Sequence, residues 1–285
     1  TGGGLTVIDL LKRAEELGVE LVQICDNLPL HQLSQNEIKT ASSRARELGL
    51  DLEVGTRGID PEHLYQYLQI AEMVDSNILR IIIEDEFGRV KLSEAKSRLK
   101  EVLPEFEKKD IKIAIENHDY YQTGELIEII HDLDSSYIGI CLDTVNSFAA
   151  LETPNKVIKT LSPYTFNLHV KDFAITRTNS QMGFSICGTP AGEGLLDIDY
   201  TLREIEKNEN EVNSILELWT PFTNNIEKTI NKEKECLFYE NLNGKIKCTL
   251  CPHNCLISKD ELGICKQRKN INGKLISLNY NKISS

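Results

Sequence analysis

Four side chains that can bind a divalent metal ion stand at or near the ends of four consecutive apolar runs of the sequence. They are Glu116, Asp143, His169 and Glu217. Three carboxylates and one imidazole suit a hard or borderline divalent ion, Mn²⁺, Mg²⁺ or Co²⁺, and Zn²⁺ is an alternative. Any one of them alone would be interpreted as a polar strand end facing solvent. Four such residues at the ends of four consecutive runs together predict a metal site.

The elements that must position these residues are short β-branched runs that alternate with amphipathic helical stretches up to about residue 235. Seven strands are predicted: Val19–Asp26, Leu50–Gly55, Ile78–Ile83, Ile111–Asn117, Ile138–Asp143, Thr165–Asp172 and Ser214–Leu218. This alternation indicates an α/β fold with a parallel sheet covered by helices. An open doubly wound sheet would also fit seven strands. Ligand-type side chains at the C-terminal strand ends favour a (β/α)8 TIM barrel.

Only Thr-Gly-Gly-Gly precedes the first predicted helix, Leu5–Leu17, where a barrel carries its first strand. We therefore expect a barrel that lacks this strand, with a gap between Val19–Asp26 and Ser214–Leu218, and interpret the sequence as a fragment. A closed barrel has no edges, so the loss leaves backbone groups bare on both neighbours. We expect weak or absent activity from this chain alone.

The residues around the four predicted ligands resemble the sugar phosphate isomerase/epimerase family of xylose-isomerase-like barrels, over roughly residues 5 to 235. The matching runs are Ala114–His118, Cys141–Thr144, Leu168–Asp172 and Leu216–Trp219. The resemblance implies that the four residues bind one divalent ion, and that Glu116 and Glu217 exchange a proton with the substrate, as in the ketose epimerases. Those epimerases have a substrate-binding His where this chain has Asn146, and an Arg where it has Ile175.

Three further segments are similar to a subgroup of 3-oxoisoapionate decarboxylases: Asp26–Leu30, Val54–Gly58 and Glu217–Pro221. In both chemistries the metal holds adjacent substrate oxygens and stabilises a developing enediolate. Isomerases and epimerases reach that state by removing a proton. A 3-oxo acid decarboxylase reaches it by losing CO₂ and then needs an acid. The predicted function is a metal-dependent enzyme of one of these two types, acting on a small sugar or sugar acid.

Four other polar residues are expected to contact the substrate. Arg57 could bind a carboxylate or phosphate with its planar fork. Asn27 and His118 could bind hydroxyl groups, with support of a metal ligand as the alternative for His118. Asn146 occupies the position of the epimerase histidine.

Lys171 stands two residues after His169 and is predicted to be catalytic. It could supply the proton after CO₂ loss, or it could bind a carboxylate. A salt bridge with Asp172 or Glu217 is the alternative. The glycine-bearing segment Ser180–Asp197 is expected to be a loop that covers the site.

Beyond residue 235 the pattern changes to short β-prone runs separated by two Asn-Gly pairs, which predict hairpins. Four cysteines with the spacing Cys-x₂-Cys-x₃-Cys-x₉-Cys lie here: Cys248, Cys251, Cys255 and Cys265. They could close a zinc site or hold an iron–sulfur cluster. Buried or free thiols are the alternative, but so small a unit has little core. We predict two domains, a barrel over 1–235 and a Cys-rich unit over 236–285.

The Cys-rich unit resembles the N-terminal segment of the radical SAM proteins of the AmmeMemoRadiSam system. The resemblance rests on Lys245–Ile257, Gly263–Arg268 and Gly273–Leu278, within about residues 237 to 285. The catalytic cluster of that family uses Cys-x₃-Cys-x₂-Cys, and here the order is reversed, so radical chemistry is not expected. Two families meeting near residue 236 indicate a gene fragment, an assembly join or an incomplete fusion.

Charge and composition limit the classes of binding partner that the chain is expected to have. A net charge of −12 and six histidines argue against nucleic acid, and so against an AP-endonuclease-like nuclease, which is one alternative function. No apolar run reaches the roughly 18 residues that span a membrane. Cysteines crowded in one segment suit a reduced cytoplasm. A small-molecule partner is expected, a homo-oligomer stays open, and a non-catalytic metal-binding fragment is the second alternative.

Overall fold

Parallel strands and helices alternate along the first part of the chain in the computed structural model. The structure describes residues 5–178, 182–208, 211–217, 219, 234–236, 239–249, 253–264 and 268–277. The described residues up to Trp219 form one compact unit, and those from Lys234 onward form a second. Among the described residues, no helix combines the length and the apolarity required to cross a membrane.

Seven parallel strands form the sheet of the first unit, and a hairpin is inserted before the last of them. The strands are β1 (Leu21–Ile24), β2 (Asp51–Arg57), β3 (Ile78–Ile82), β4 (Lys112–Glu116), β5 (Ile138–Asp143), β6 (Thr165–Val170), the hairpin strands β7 (Asp172–Arg177) and β8 (Phe184–Thr189), and β9 (Asn213–Leu216). The sheet order is β1-β2-β3-β4-β5-β6-β9, so every strand pairs with the next one around the barrel. Strands β3, β5 and β6 are buried along their whole length, as expected for strands covered on both faces.

Seven helices cover the outside of this sheet within the described part of the chain. They are α1 (Val7–Leu17), α2 (Gln35–Glu47), α3 (Pro61–Val74), α4 (Leu92–Lys108), α5 (Thr123–Leu133), α6 (Pro154–Leu161) and α7 (Ile198–Glu206). The side chain of Ser34 accepts a hydrogen bond from the Glu37 backbone, and the Glu37 carboxylate accepts from the Ser34 backbone; together they begin α2. Apolar side chains such as Leu64, Leu99 and Ile129 are fully buried between helices and sheet.

The sheet closes almost completely into a barrel. Strands β1 and β9 are its two edges, and neither pairs with a further strand among the described residues. The predicted seven-stranded barrel with an opening between these strands is confirmed. Polar side chains connect across the barrel interior: Gln23 donates to Asn167 at 3.1 Å, and Asn213 donates to Glu53 at 2.7 Å.

Part of the segment predicted to be a loop, Ser180–Asp197, is instead a strand. Strands β7 and β8 pair antiparallel from Asp172↔Thr189 to Arg177↔Phe184. The alternation of apolar and polar side chains in Phe184–Thr189 is the period of a strand, and the glycines of the segment hid it. Residues 179–181, at the far end of this hairpin, lie outside the described residues.

The second unit contains two three-stranded antiparallel sheets. Their strands are β10 (Lys234–Glu235), β11 (Tyr239–Leu242), β12 (Lys245–Cys248), β13 (Leu256–Ile257), β14 (Arg268–Ile271) and β15 (Lys274–Ser277), in the orders β11-β12-β13 and β10-β15-β14. Both predicted Asn-Gly hairpins form, since Asn243 and Gly244 have φ of 53° and 90° and Asn272 and Gly273 have 51° and 81°. Positive φ at both turn residues matches the twist of the flanking strands.

Candidate metal centre

The four predicted ligands meet at the C-terminal end of the barrel. Glu116 and Asp143 are the last residues of β4 and β5, His169 is next to last in β6, and Glu217 follows β9. Ligand atoms of Asp143, His169 and Glu217 all lie within 4.8 Å of one another. His169 Nδ1 is 3.1 Å from Glu217 Oε2 and 3.4 Å from Glu116 Oε2. Sequentially distant residues therefore surround one point.

Three of these residues carry a buried polar atom that makes no hydrogen bond. The atoms are Asp143 Oδ2, His169 Nδ1 and Glu217 Oε2. Lys171 Nζ lies 2.8 Å from the Asp143 carboxylate and 3.1 Å from the Glu217 carboxylate, at ion-pair distance but without hydrogen-bond geometry. Buried polar atoms without partners are rare and need a physical reason. Two carboxylate oxygens and one imidazole nitrogen facing a common point fit a divalent cation.

Glu116 differs from the other three because both of its carboxylate oxygens have partners. Arg80 Nε donates to Glu116 Oε2, and Asn146 Nδ2 donates to Glu116 Oε1 at 2.6 Å. Arg80 also contacts Asp26 at 3.2 Å. Arg80 was not predicted from the sequence, although a single charge inside the buried strand Ile78–Ile82 was a signal that a partner faces it.

The charges around the site fix the protonation of its groups. Burial raises the pKa of Glu116, but Arg80 and the neighbouring cations outweigh burial and hold that pKa below its ordinary value. Burial opposes ionisation of Glu217 as well, yet the adjacent His169 and Lys171 bring its pKa down. Burial raises the pKa of Asp143. The site thus contains ionised glutamates next to cations.

Lys171 remains a cation in this environment. Burial alone would lower its pKa, but Asp143 and Glu217 outweigh burial and raise the pKa above its ordinary value. Of the two salt-bridge partners considered from the sequence, Glu217 is in contact and Asp172 is not. The Asp172 carboxylate instead accepts hydrogen bonds from its own neighbour and from the backbone of the segment after β8. Its donors are the N–H groups of Phe173, Gly192, Gly194 and Leu196.

Three of the four predicted substrate-binding residues lie around a cavity of about 220 Å³ beside this centre. Asn27, Arg57 and His118 line the cavity together with Lys171. The fork of Arg57 already binds Glu84, with distances of 2.7 and 3.1 Å, so it is not free to hold an anion in this structure. Asn146 does not line the cavity; it contacts Glu116, and Lys171 donates to it at 3.3 Å.

The cysteine site predicted in the second unit lies partly outside the described residues, which do not include Cys251 and Cys265. Cys248 is buried and Cys255 is half-buried. The Cys248 N–H donates to the Cys255 carbonyl at 2.9 Å, so the two residues are adjacent in the fold. Binding of zinc or a cluster here stays a prediction.

A family model described as the xylose isomerase-like TIM barrel matches residues 11–239. The chain belongs to this family, and the resemblance of roughly residues 5 to 235 to xylose-isomerase-like barrels is confirmed. This chain is 37% identical over 224 residues to a 3-oxo-isoapionate decarboxylase of Pectobacterium atrosepticum, and the match covers 79% of this chain and 82% of the relative.

Solved structures show the same fold. A xylose isomerase-like TIM barrel protein from Mycobacterium smegmatis, in complex with magnesium, has a TM-score of 0.62 at 14% identity, covering 76% of this chain and 82% of the other. A D-psicose 3-epimerase from Clostridium cellulolyticum H10, with D-tagatose, has a TM-score of 0.62 at 15% identity, covering 77% and 82%. At this identity the likeness defines the architecture alone.

Proposed function

We propose that the chain is a divalent-metal-dependent enzyme that decarboxylates a small 3-oxo sugar acid. The choice of reaction rests on one observation: both carboxylate oxygens of Glu116 already accept hydrogen bonds. Epimerases of this family exchange protons through two glutamates, and here Arg80 and Asn146 occupy both Glu116 oxygens. Loss of CO₂ needs no base, so a paired Glu116 does not impede it. The identity to a 3-oxo-isoapionate decarboxylase supports the same choice.

Asp143, His169 and Glu217 would hold the cation through the three atoms that lack hydrogen bonds, with Glu116 beside them. A divalent ion held there would supply Lewis-acid chemistry by polarising the 3-oxo oxygen. The bond between the substrate carboxylate and the adjacent carbon breaks, its electron pair moves to that oxygen, and an enolate remains. The cavity beside the ligands has room for a small acid.

Lys171 has two roles in this proposal. Its ammonium group lines the cavity and attracts the substrate carboxylate before the reaction. A lysine ammonium group carries its proton at neutral pH, and the enolate is a stronger base than an amine. Lys171 therefore donates this proton to the carbon that lost CO₂ and recovers it from solvent.

The test is release of CO₂ from 3-oxo sugar acids by the full chain with Mn²⁺ or Mg²⁺, in deuterated water. Because the barrel is open between β1 and β9, we expect turnover to be slow. It should release CO₂ together with one deuterium on the new C–H, and both should be lost with excess chelator. The K171M variant should retain metal binding but lose turnover. Deuterium entering a ketose without CO₂ release would contradict the proposal and identify an isomerase or epimerase.

A further inference from the structure

The imidazole of His169 is hydrogen-bonded through Nε2 to a buried glutamine. His169 Nε2 and Gln23 Oε1 are 2.7 Å apart. Gln23 Nε2 in turn donates to Glu53 Oε2 at 3.0 Å. All three residues are buried, with 2%, 8% and 1% of their surface exposed. We infer that Gln23 and Glu53 form a relay that fixes the His169 tautomer, so that Nδ1 presents a lone pair to the metal centre.

The direction of the relay follows from which atoms can donate. A carboxylate has no N–H group, so Gln23 turns its NH₂ toward Glu53 and its carbonyl toward His169. The ring nitrogen facing that carbonyl must then carry a proton. A neutral imidazole has one N–H, so protonated Nε2 leaves Nδ1 as the acceptor. Nδ1 is the atom that is buried without a hydrogen bond.

Glu53 is itself held in place by amide groups from two other strands. Asn167 donates to Glu53 Oε2 at 2.6 Å, and Asn213 donates to Glu53 Oε1 at 2.7 Å. Residues from β1, β2, β6 and β9 thus meet in one network inside the barrel. Gln23 hydrogen-bonds to His169 and to no other predicted ligand within the described residues. The side-chain partners of Glu53 within the same residues are all amide groups. Both are positioning residues, and this role rests on the proposed metal centre.

If the relay exists, swapping the amide of Gln23 and the carboxylate of Glu53 should preserve the His169 tautomer. Changing Glu53 alone should not. In the E53Q variant, an amide replaces the carboxylate, so the Gln23 amide is free to turn over and offer NH₂ to His169. In the double variant Q23E/E53Q, the new carboxylate at position 23 would accept from His169 Nε2 and from the new amide at position 53. The double variant keeps the charge and shape of the natural pair, and rotation of the Asn167 amide completes its hydrogen bonds.

Two measurements on the full chain test this relay. The first is the ¹⁵N resonance of the His169 ring in metal-free protein, assigned with the H169Q variant. The second is the affinity for Mn²⁺ by calorimetric titration, since this ion suits carboxylate ligands rather than the thiolates of the second unit. We expect a protonated Nε2 in the natural protein and the double variant, and loss of that signal in E53Q. We also expect E53Q to weaken Mn²⁺ binding roughly 10- to 100-fold, the usual effect of losing a partner of a metal-bound histidine, and the double variant to restore it.

The matched control is E152Q. Glu152 is another buried glutamate that accepts hydrogen bonds, here from Thr123, and it lies outside the relay. Both readouts should be unchanged in this variant. The relay would be overturned if E53Q kept the ring signal and the metal affinity of the natural protein. It would also be overturned if the double variant bound the metal as weakly as E53Q. If the natural protein bound no Mn²⁺, the metal centre would be refuted, and the ring signal would still decide whether the relay exists.

Discussion

Arg80 and Glu116 form an ion pair inside the barrel, directly behind the candidate metal centre. Their side chains are only 6% and 1% exposed. Removing one partner of a buried pair leaves an uncompensated charge away from water, which is strongly destabilising. The pair therefore links the stability of the barrel to the protonation of one predicted ligand.

The first prediction concerns this pair. Arg80→Met should lower the free energy of unfolding by about 3–5 kcal/mol, because Glu116 loses its buried countercharge. Urea unfolding followed by circular dichroism measures the change. The control is Arg46→Met, whose partner Asp75 is exposed, and a surface pair contributes about 0–1 kcal/mol. Equal losses in the two variants would show that the Arg80–Glu116 pair adds no stability beyond that of a surface pair.

The second prediction concerns the carboxylate of Asp172. It accepts four backbone hydrogen bonds, from Phe173, Gly192, Gly194 and Leu196. Asp172→Ala should cost about 1–3 kcal/mol for the donors left without an acceptor. Amide hydrogen exchange of residues 190–196 should become faster than in Asp199→Ala, a change at an exposed position of α7. Unchanged protection of this segment would mean that other contacts hold it.

The third prediction concerns the close approach of Gly194 to the same carboxylate. A Cβ at this position would lie 2.1 Å from Asp172 Oδ1 and 2.5 Å from the Phe173 carbonyl oxygen. Gly194→Ala should therefore destabilise the protein, whereas Gly124→Ala should not, because its Cβ would meet no atom within 4 Å. Thermal unfolding of the two variants measures the difference. An equal melting temperature for both would contradict the packing described here.

The fourth prediction concerns pH. Burial raises the pKa of Glu152, but hydrogen bonds from Lys156 and Thr123 outweigh burial and leave the pKa below its ordinary value. A lowered pKa adds stability above the ordinary value of about 4.3, and this stability is lost as the pH falls through the folded-state pKa. Glu152→Gln should lower the melting temperature at pH 7 and progressively less below about pH 4. A difference that stayed constant with pH would contradict a lowered pKa.

The sequence was sufficient to predict the seven strands and the convergence of four polar side chains at one end of the barrel: Glu116, Asp143, His169 and Glu217. Apolar runs identify buried strands, and parallel strands bring their C-terminal ends to one side of a barrel. Arg80, Gln23 and Glu53 were not predicted, because a polar residue within a strand has no visible partner until the register of distant strands is known. The pairing of Arg57 with Glu84 was missed for the same reason.

The central claim is that Asp143, His169 and Glu217 bind one divalent ion at the barrel mouth. The most direct measurement is anomalous diffraction from crystals of the full chain grown with Zn²⁺. We predict one peak at this end of the barrel, about 2.0–2.1 Å from His169 Nδ1 and about 2.0–2.2 Å from carboxylate oxygens of Asp143 and Glu217. A barrel with no peak there, or with the ion bound by other residues, would contradict the account.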